Sequence, residues 1–456
     1  LEHVDLKRQD RLVNAGLRQS GASFSRSAQP GCDLRINKTG GVFWRNRLTF
    51  SIAKIFPPGV MTDFSAEEKK AIAGLSVVLG LRMMGLSMII PVFSVYATKI
   101  SGDSTLLAGI AFGIYGFTQA LFQIPFGYYS DKYGRRKVVA FGLALFGAGS
   151  VICALTTNIY ILILGRCLQG GGAIASACFA WVADHADPSR RSTAMAFMGI
   201  AVGGGIVTGM IFGPVIAGGT GVRFLFWLAM IFSILALLIT VFILTEKGKT
   251  PMAERDFNTL NPREIMKMAG APDLIKLNIT GFTVNVAMIA TFFIVPLRLK
   301  QYFEIGQLWQ VYLPLSVFGG VAMMFTARKS DAGGARGVIT GALLVLCAAY
   351  VILAMGDGLN YLLAGFGLFF TGFSVLEATL PSSVSKLANA SHKGTIMGVY
   401  NFSQFIGTFV GGMMAGLLSK NHPAMVFIIL MGLAAIAAAV IRTAGPLTPL
   451  QVKEPA

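Results

Sequence analysis

Charge is scarce in this chain. Asp, Glu, Lys and Arg together make up 13% of its 456 residues, against roughly 25% in a soluble globular domain. That deficit excludes an ordinary water-soluble fold. With 54% hydrophobic residues and a mean hydropathy of +0.67, the composition is that of a polytopic membrane protein. Carboxylates are the rarer sign, 21 against 38 Lys and Arg, for a formal charge of +17. On a soluble chain that excess would suggest a nucleic-acid partner. Here the cations fall in loops between apolar runs and in the amino-terminal segment, so no nucleic acid is expected. Of the five cysteines, Cys153, Cys167, Cys178 and Cys347 lie inside apolar runs and Cys32 does not, with neither metal-ligand spacing nor a disulfide framework. A catalytic nucleophile, a metal cluster and a phosphate loop are also missing, so an enzyme is not expected, nor a cofactor or bound metal. Glycine (54) and phenylalanine (34) are plentiful, as in packed membrane helices.

Residues 1–60 differ from the rest: polar, rich in Arg and Ser, with no apolar stretch of signal-peptide length. Two readings stand, a disordered basic or transit-like tail, or a segment foreign to the natural protein with translation starting at Met61; the second is preferred. From residue 71 onward, apolar runs long enough to span a bilayer recur. They cover 71–98, 105–129, 137–157, 159–183, 192–218 and 222–244, then, after a polar linker at 245–272, 273–299, 306–327, 337–355, 359–384, 394–419 and 423–443. The expected fold is an all-α membrane protein of twelve transmembrane helices in two six-helix bundles, 61–244 and 273–443, with a tail at 444–456. Lys132 to Lys137, Arg190, Arg191, the linker cations, Arg328, Lys329, Arg336 and Lys393 fall on one side, and few cations such as Lys99, Arg223, Lys300 and Lys420 on the other. The positive-inside bias makes the first side, with both termini, cytoplasmic.

The most informative stretch is Gly127-Tyr-Tyr-Ser-Asp131-Lys132-Tyr-Gly134-Arg135-Arg136-Lys137, between the second and third spans. Its charge is too dense for hydrocarbon, so it is expected as a tight hairpin at a membrane face. Gly127 would let helix ends approach and Gly134 would supply a positive φ. Asp131 can pair with an arginine or cap a helix. The pattern G-x-x-x-D-K-x-G-R-R-K resembles the signature loop of the major facilitator superfamily. It recurs in degraded form about 200 residues on as Ala327-x-x-x-Asp331-x-x-Gly334-x-Arg336, as parallel halves require.

Three further stretches match the superfamily's patterns. Gly165-Arg166-Cys-Leu-Gln169-Gly170 places an arginine in the fourth span. Such a charge faces a cavity or partner, forms a structural pair or snorkels; the resemblance implies a role in proton coupling. Gly209, Gly213, Pro214 and Gly218 form G-x-x-x-G-P-x-x-A-G in the fifth span, a small-residue face followed by a helix-bending proline. That resembles the antiporter pattern of exporters. Asp184 and Arg191 stand in the loop between the fourth and fifth spans, where Asp184 can brace Arg135 and Arg136 or simply be solvated.

Two charges remain inside spans. Arg82 precedes Pro91 by about two and a half turns, and Glu377 precedes Pro381 by about one. Both are costly in lipid and are expected to face the central cavity or the interface between halves. Glu377 is the only carboxylate deep in a span and is the candidate proton carrier, a structural hydrogen-bond partner being the competing reading. Tyr115, Gln119 and Gln123 in the second span, Asn278 and Asn285 in the seventh, and Asn401 and Gln404 in the eleventh are candidates for the substrate cavity, with inter-helix hydrogen bonding as the alternative.

The resemblance covers nearly everything after Met61. Leu81-Arg82-Met-Met-Gly85, Gly113 through Gly127 and Gly398 through Gly407 are similar to the YajR-like branch of drug-efflux-type transporters, without the soluble carboxy-terminal domain found in some members. It implies two bundles rocking around a central site in a bacterial inner membrane. It also implies a switch in which Asp131 meets the helix dipole at Lys393-Gly394-Thr395. The implied activity is proton-coupled efflux of small, amphipathic molecules by a monomer, with substrate, protons and the bilayer as partners. The alternatives are uptake of a nutrient by symport or facilitation and, from a different class, a non-transporting membrane sensor.

Overall fold

A computed structural model of the chain describes residues 64–102, 104–187, 190–246, 270–387 and 393–443. The extension 1–60, almost all of the linker and the tail 444–456 lie outside the described residues. Among the described residues, fourteen α-helices follow one another. The first half holds α1 (Ala66–Ser87), α2 (Ile90–Ser101), α3 (Thr105–Tyr133), α4 (Arg135–Leu155), α5 (Ile159–Gly171), α6 (Ala175–His185), α7 (Arg191–Thr220) and α8 (Val222–Leu238). The second holds α9 (Pro272–Leu299), α10 (Trp309–Lys329), α11 (Ala335–Met355), α12 (Leu359–Leu387), α13 (Lys393–Leu418) and α14 (Pro423–Arg442). Among the described residues, 11 segments are long and apolar enough to cross a membrane, and α13 adds a further helix of 26 residues between two of them. No strand occurs among the described residues.

Two expected spans are broken rather than continuous. The first breaks at Met88–Ile89, between α1 and α2, because Pro91 has no N–H to give and its ring crowds the carbonyl of Ser87. The fourth breaks between Gly171 and Ala175, where α5 runs against the backbone of α4: a Cβ on Gly172 would lie 2.5 Å from the Gly142 carbonyl oxygen.

The charged hairpin is tighter and more helical than expected. α3 continues to Tyr133 and α4 starts at Arg135, leaving Gly134 alone between them at φ 100°. Gly127 therefore sits inside α3, and the nearest atom to a Cβ there would be Ser176 Oγ at 4.0 Å, so no close approach depends on it. In the second half, the turn at Ser330–Gly334 places its left-handed residue at Gly333 (φ 92°), one position before Gly334, the counterpart of Gly134 in the repeat.

The halves meet at the end opposite the basic hairpin. There α3 lies on α13 with backbone against backbone: a Cβ on Gly109 would stand 2.2 Å from the Gly412 oxygen, and one on Gly113 2.8 Å from the Phe409 oxygen. Gly218 of α7 meets Gly306, Tyr312 Oη donates to the Pro91 carbonyl at 3.3 Å, and the rings of Phe112 and Phe293 lie 6.3 Å apart. Toward the basic end the facing helices open. A Cβ on Gly199, Gly203 or Gly204 of α7 or on Gly398 of α13 would meet nothing within 4 Å. Inside the second half, Phe292, Tyr312, Phe366, Phe369 and Phe370 interlock with ring centroids 4.9 to 6.5 Å apart. In lipid, such packing supplies the cohesion that water exclusion supplies elsewhere.

Gly412→Val should therefore pry α3 from α13. With the native cysteines replaced by serine, a cysteine introduced at Thr408, buried in the parent, should react several-fold faster with a maleimide in the valine variant. Equal labelling rates would remove the backbone contact as the seal.

Candidate functional site

Arg82 and Arg166 are buried within the first half and share Tyr115. Arg82 is fully buried; its Nη2 donates to Tyr115 Oη at 3.4 Å and its guanidinium lies 5.5 Å from the Phe146 ring centre. Its Nε and Nη1 have no hydrogen-bond partner among the described residues. The expectation that Arg82 faces the cavity or the interface is corrected: aromatic faces and a phenol, rather than water, surround it. Arg166 is 2% exposed, which excludes snorkelling. Its Nε donates to the Ala111 carbonyl (3.3 Å) and its Nη1 to Gln169 Oε1 (2.7 Å), while the rings of Phe93 and Tyr115 lie 5.0 and 5.1 Å away. Gln169 Nε2 in turn donates to Ser150 Oγ (2.8 Å). Neither arginine is in an ion pair with a carboxylate among the described residues. Neutral acceptors and π faces carry both charges.

Tyr115, Gln119 and Gln123 are buried on α3, and the Oε1 atoms of both glutamines have no partner among the described residues. Asn285 is also buried: its Nδ2 donates back to Gly281 O (3.1 Å), and Thr408 Oγ1 donates to its Oδ1 (3.5 Å), so it ties α9 to α13. Asn278 Oδ1 is buried without a partner among the described residues, and Asn401 is half-buried.

Glu377 is different. It lies past the middle of α12 and is exposed. It lies within electrostatic range of Tyr400, a fully buried residue of α13 whose hydroxyl accepts from Gln404 Nε2 at 3.0 Å. Tyr400 was missed from sequence; one tyrosine among eleven carries no mark until α13 is set beside α12 and α9, where its ring fills the space left by Gly281.

The basic hairpin is braced inside the first half. Arg135 Nη2 pairs with Asp131 (2.5 Å), its Nε with Asp184 (3.0 Å), and its Nη1 donates to Ser130 Oγ (2.6 Å). Arg191 Nε donates to the Ala183 carbonyl at 3.0 Å. Gly134, as N-cap of α4, has no side chain to offer the free N–H groups of the first turn. Glu246, just after the sixth span, takes that place by accepting from the Arg136 amide at 3.1 Å. Glu246 too was missed, since nothing in the sequence pairs it with Gly134 across 112 positions. Lys132 lies over the Tyr133 ring at 5.5 Å, and Lys137 is exposed. In the second-half copy Arg336 is half-buried, while the side chains of Asp331 and of Lys393–Thr395 lie outside the described residues.

The expected antiporter stretch serves two contacts. Gly209 and Gly213 press α7 onto α1, where a Cβ on Gly213 would stand 2.1 Å from the Met88 oxygen, at the break in the first span. Gly218 instead touches Gly306 of the other half. Pro214 is accommodated within α7, which continues to Thr220.

A double-mutant cycle on Arg135→Gln and Asp184→Asn, read from unfolding in detergent, should give a coupling of about 0.5–1 kcal/mol. Both groups are partly in contact with solvent, which limits the pair to that range. A coupling of zero would remove the brace.

The sequence model of the Major Facilitator Superfamily matches residues 75–412. The inner membrane transport protein YajR of Escherichia coli (strain K12) is 37% identical over 352 residues, 76% of this chain and 77% of that protein. Multidrug resistance protein 2 of Bacillus subtilis (strain 168) is 26% identical over 354 residues, 74% and 85% of the two chains. The crystal structure of a D-xylose-proton symporter superposes with a TM-score of 0.68 at 15% identity, covering 83% of this chain and 99% of that one, a likeness of fold. The chain belongs to the major facilitator superfamily and is a multi-pass membrane transporter rather than an enzyme.

Proposed function

We propose that this transporter exports small amphipathic molecules in exchange for protons, by alternating access, from the inner membrane of a bacterium with both termini cytoplasmic. The observation that carries the reading is Glu377, the one carboxylate deep in a span. It is exposed and within electrostatic range of Tyr400, which Gln404 holds, while both buried arginines are enclosed in the other half. A carboxylate placed there can hold a proton or a cationic substrate in turn, which is what exchange requires. The name of the Bacillus relative and the glycine–proline stretch of α7 favour export. The cations at the hairpin favour a cytoplasmic placing of the open end. No cofactor is invoked; the proton gradient supplies the energy, and the protein works as a monomer.

In this scheme Asp131 is shared between two states. With the basic end open it holds Arg135; with that end closed it meets the N-terminus of α13, which begins at Lys393.

The test uses energised inside-out vesicles with a pH-sensitive dye and a panel of lipophilic cations, neutral antibiotics and sugars. At least one amphipathic compound should dissipate the gradient with the parent protein and fail to do so with Glu377→Gln. Dissipation by a sugar alone would transfer the assignment to uptake; a silent panel would remove proton exchange. Asp131→Asn should insert normally and transport several-fold more slowly, and an unimpaired rate would dispose of the switch.

A further inference from the structure

On the outer surface of the first half, α3 and α4 diverge from the Gly134 turn and leave a groove of about 410 Å³ between them. Its walls are aromatic. Phe126 lies between Phe122 (6.3 Å) and Phe141 (6.2 Å), and Tyr129 stacks on Tyr133 (5.8 Å). Phe141 is 60% exposed and Tyr133 54%, so the groove is open along its length. Pro125, within α3, lines it as well. At the mouth stand two cations, Lys137 in the lining and Lys132 over the face of Tyr133.

The dimensions identify an occupant. From Phe122 to Tyr133 the groove follows 11 residues of helix, about 16 Å at 1.5 Å per residue. One leaflet of the hydrocarbon core is about 15 Å deep, half of the roughly 30 Å whole. The groove is thus one leaflet deep, apolar from the membrane middle to the surface, with positive charge only where a headgroup would sit. Tyrosines at its upper end match the interface, where an amphipathic ring is favoured. Basic pockets between helices at this kind of face suit anionic headgroups. We propose that the α3–α4 groove is a binding site for an anionic phospholipid of the surrounding bilayer, its acyl chain on Phe122, Phe126 and Phe141 and its phosphate on Lys132 and Lys137. The proposal depends on the chain spanning a membrane, not on what it transports.

The site is tested by offering the purified full chain, in detergent, equal amounts of dioleoylphosphatidylglycerol and dioleoylphosphatidylcholine and counting retained lipids by native mass spectrometry. The parent should retain phosphatidylglycerol preferentially. Lys132→Gln and Lys137→Gln should each reduce that preference about fivefold. Phe141→Ser should reduce retention of phosphatidylglycerol with both lysines in place, and Lys99→Gln, at the opposite end of the bundle, should change nothing. Size-exclusion elution establishes that each variant is folded. A preference that survives both lysine substitutions, or that ignores Phe141→Ser, would overturn the groove as a site and leave only unspecific surface attraction.

Discussion

Helices in a bilayer gain nothing by hiding apolar surface from one another, because lipid is as apolar as they are. What holds this bundle is contact close enough for backbone to meet backbone. Glycines 109, 113, 412 and 416 bring α3 onto α13, and Gly205, Gly209 and Gly213 bring α7 onto α1. The same chemistry serves two purposes according to which helices it joins. Between α1 and α7 it fixes the interior of one half. Between α3 and α13 it joins the two halves, which part during transport if access alternates as proposed. Such a contact suits a reversible seal, since it has no side chains to repack and few polar bonds to exchange.

The second constraint is that charge inside the bundle must be solvated by protein. The two halves answer it differently. In the first, Arg82 and Arg166 are enclosed by Tyr115, Phe93, Phe146 and the amide of Gln169. In the second, Glu377 is left exposed. The electrostatic asymmetry between the halves is therefore one of access as much as of sign: the cations are enclosed by their own half, and the anion is exposed.

The repeated apolar runs, the hairpin motif and the lone deep carboxylate were legible in the sequence because each is a local property of the chain. The positive φ at Gly134 was legible for the same reason. The breaks at Met88 and Gly172 were written there too, in Pro91 and the triple glycine at 170–172, but whether such residues bend a helix or break it depends on which neighbour approaches. Arg82 was misplaced because sequence assigns a cost to a buried charge without naming its partners. Glu246 and Tyr400 were invisible, since each acts only on residues brought to it by the tertiary fold, Glu246 on a helix start 110 positions earlier.

Glu246 also fixes where the first half ends mechanically. The chain leaves the sixth span, and two residues later its carboxylate is fastened to the start of α4. His185 secures the same exit by a contact between its Nε2 and the Thr245 carbonyl oxygen (3.1 Å). The described end of the first half is therefore held at the α3–α4 elbow. Thr245 and Glu246 thus bind the exit of the sixth span to the last turn of α6 and the first turn of α4, so that three helices of the first half share one fastening.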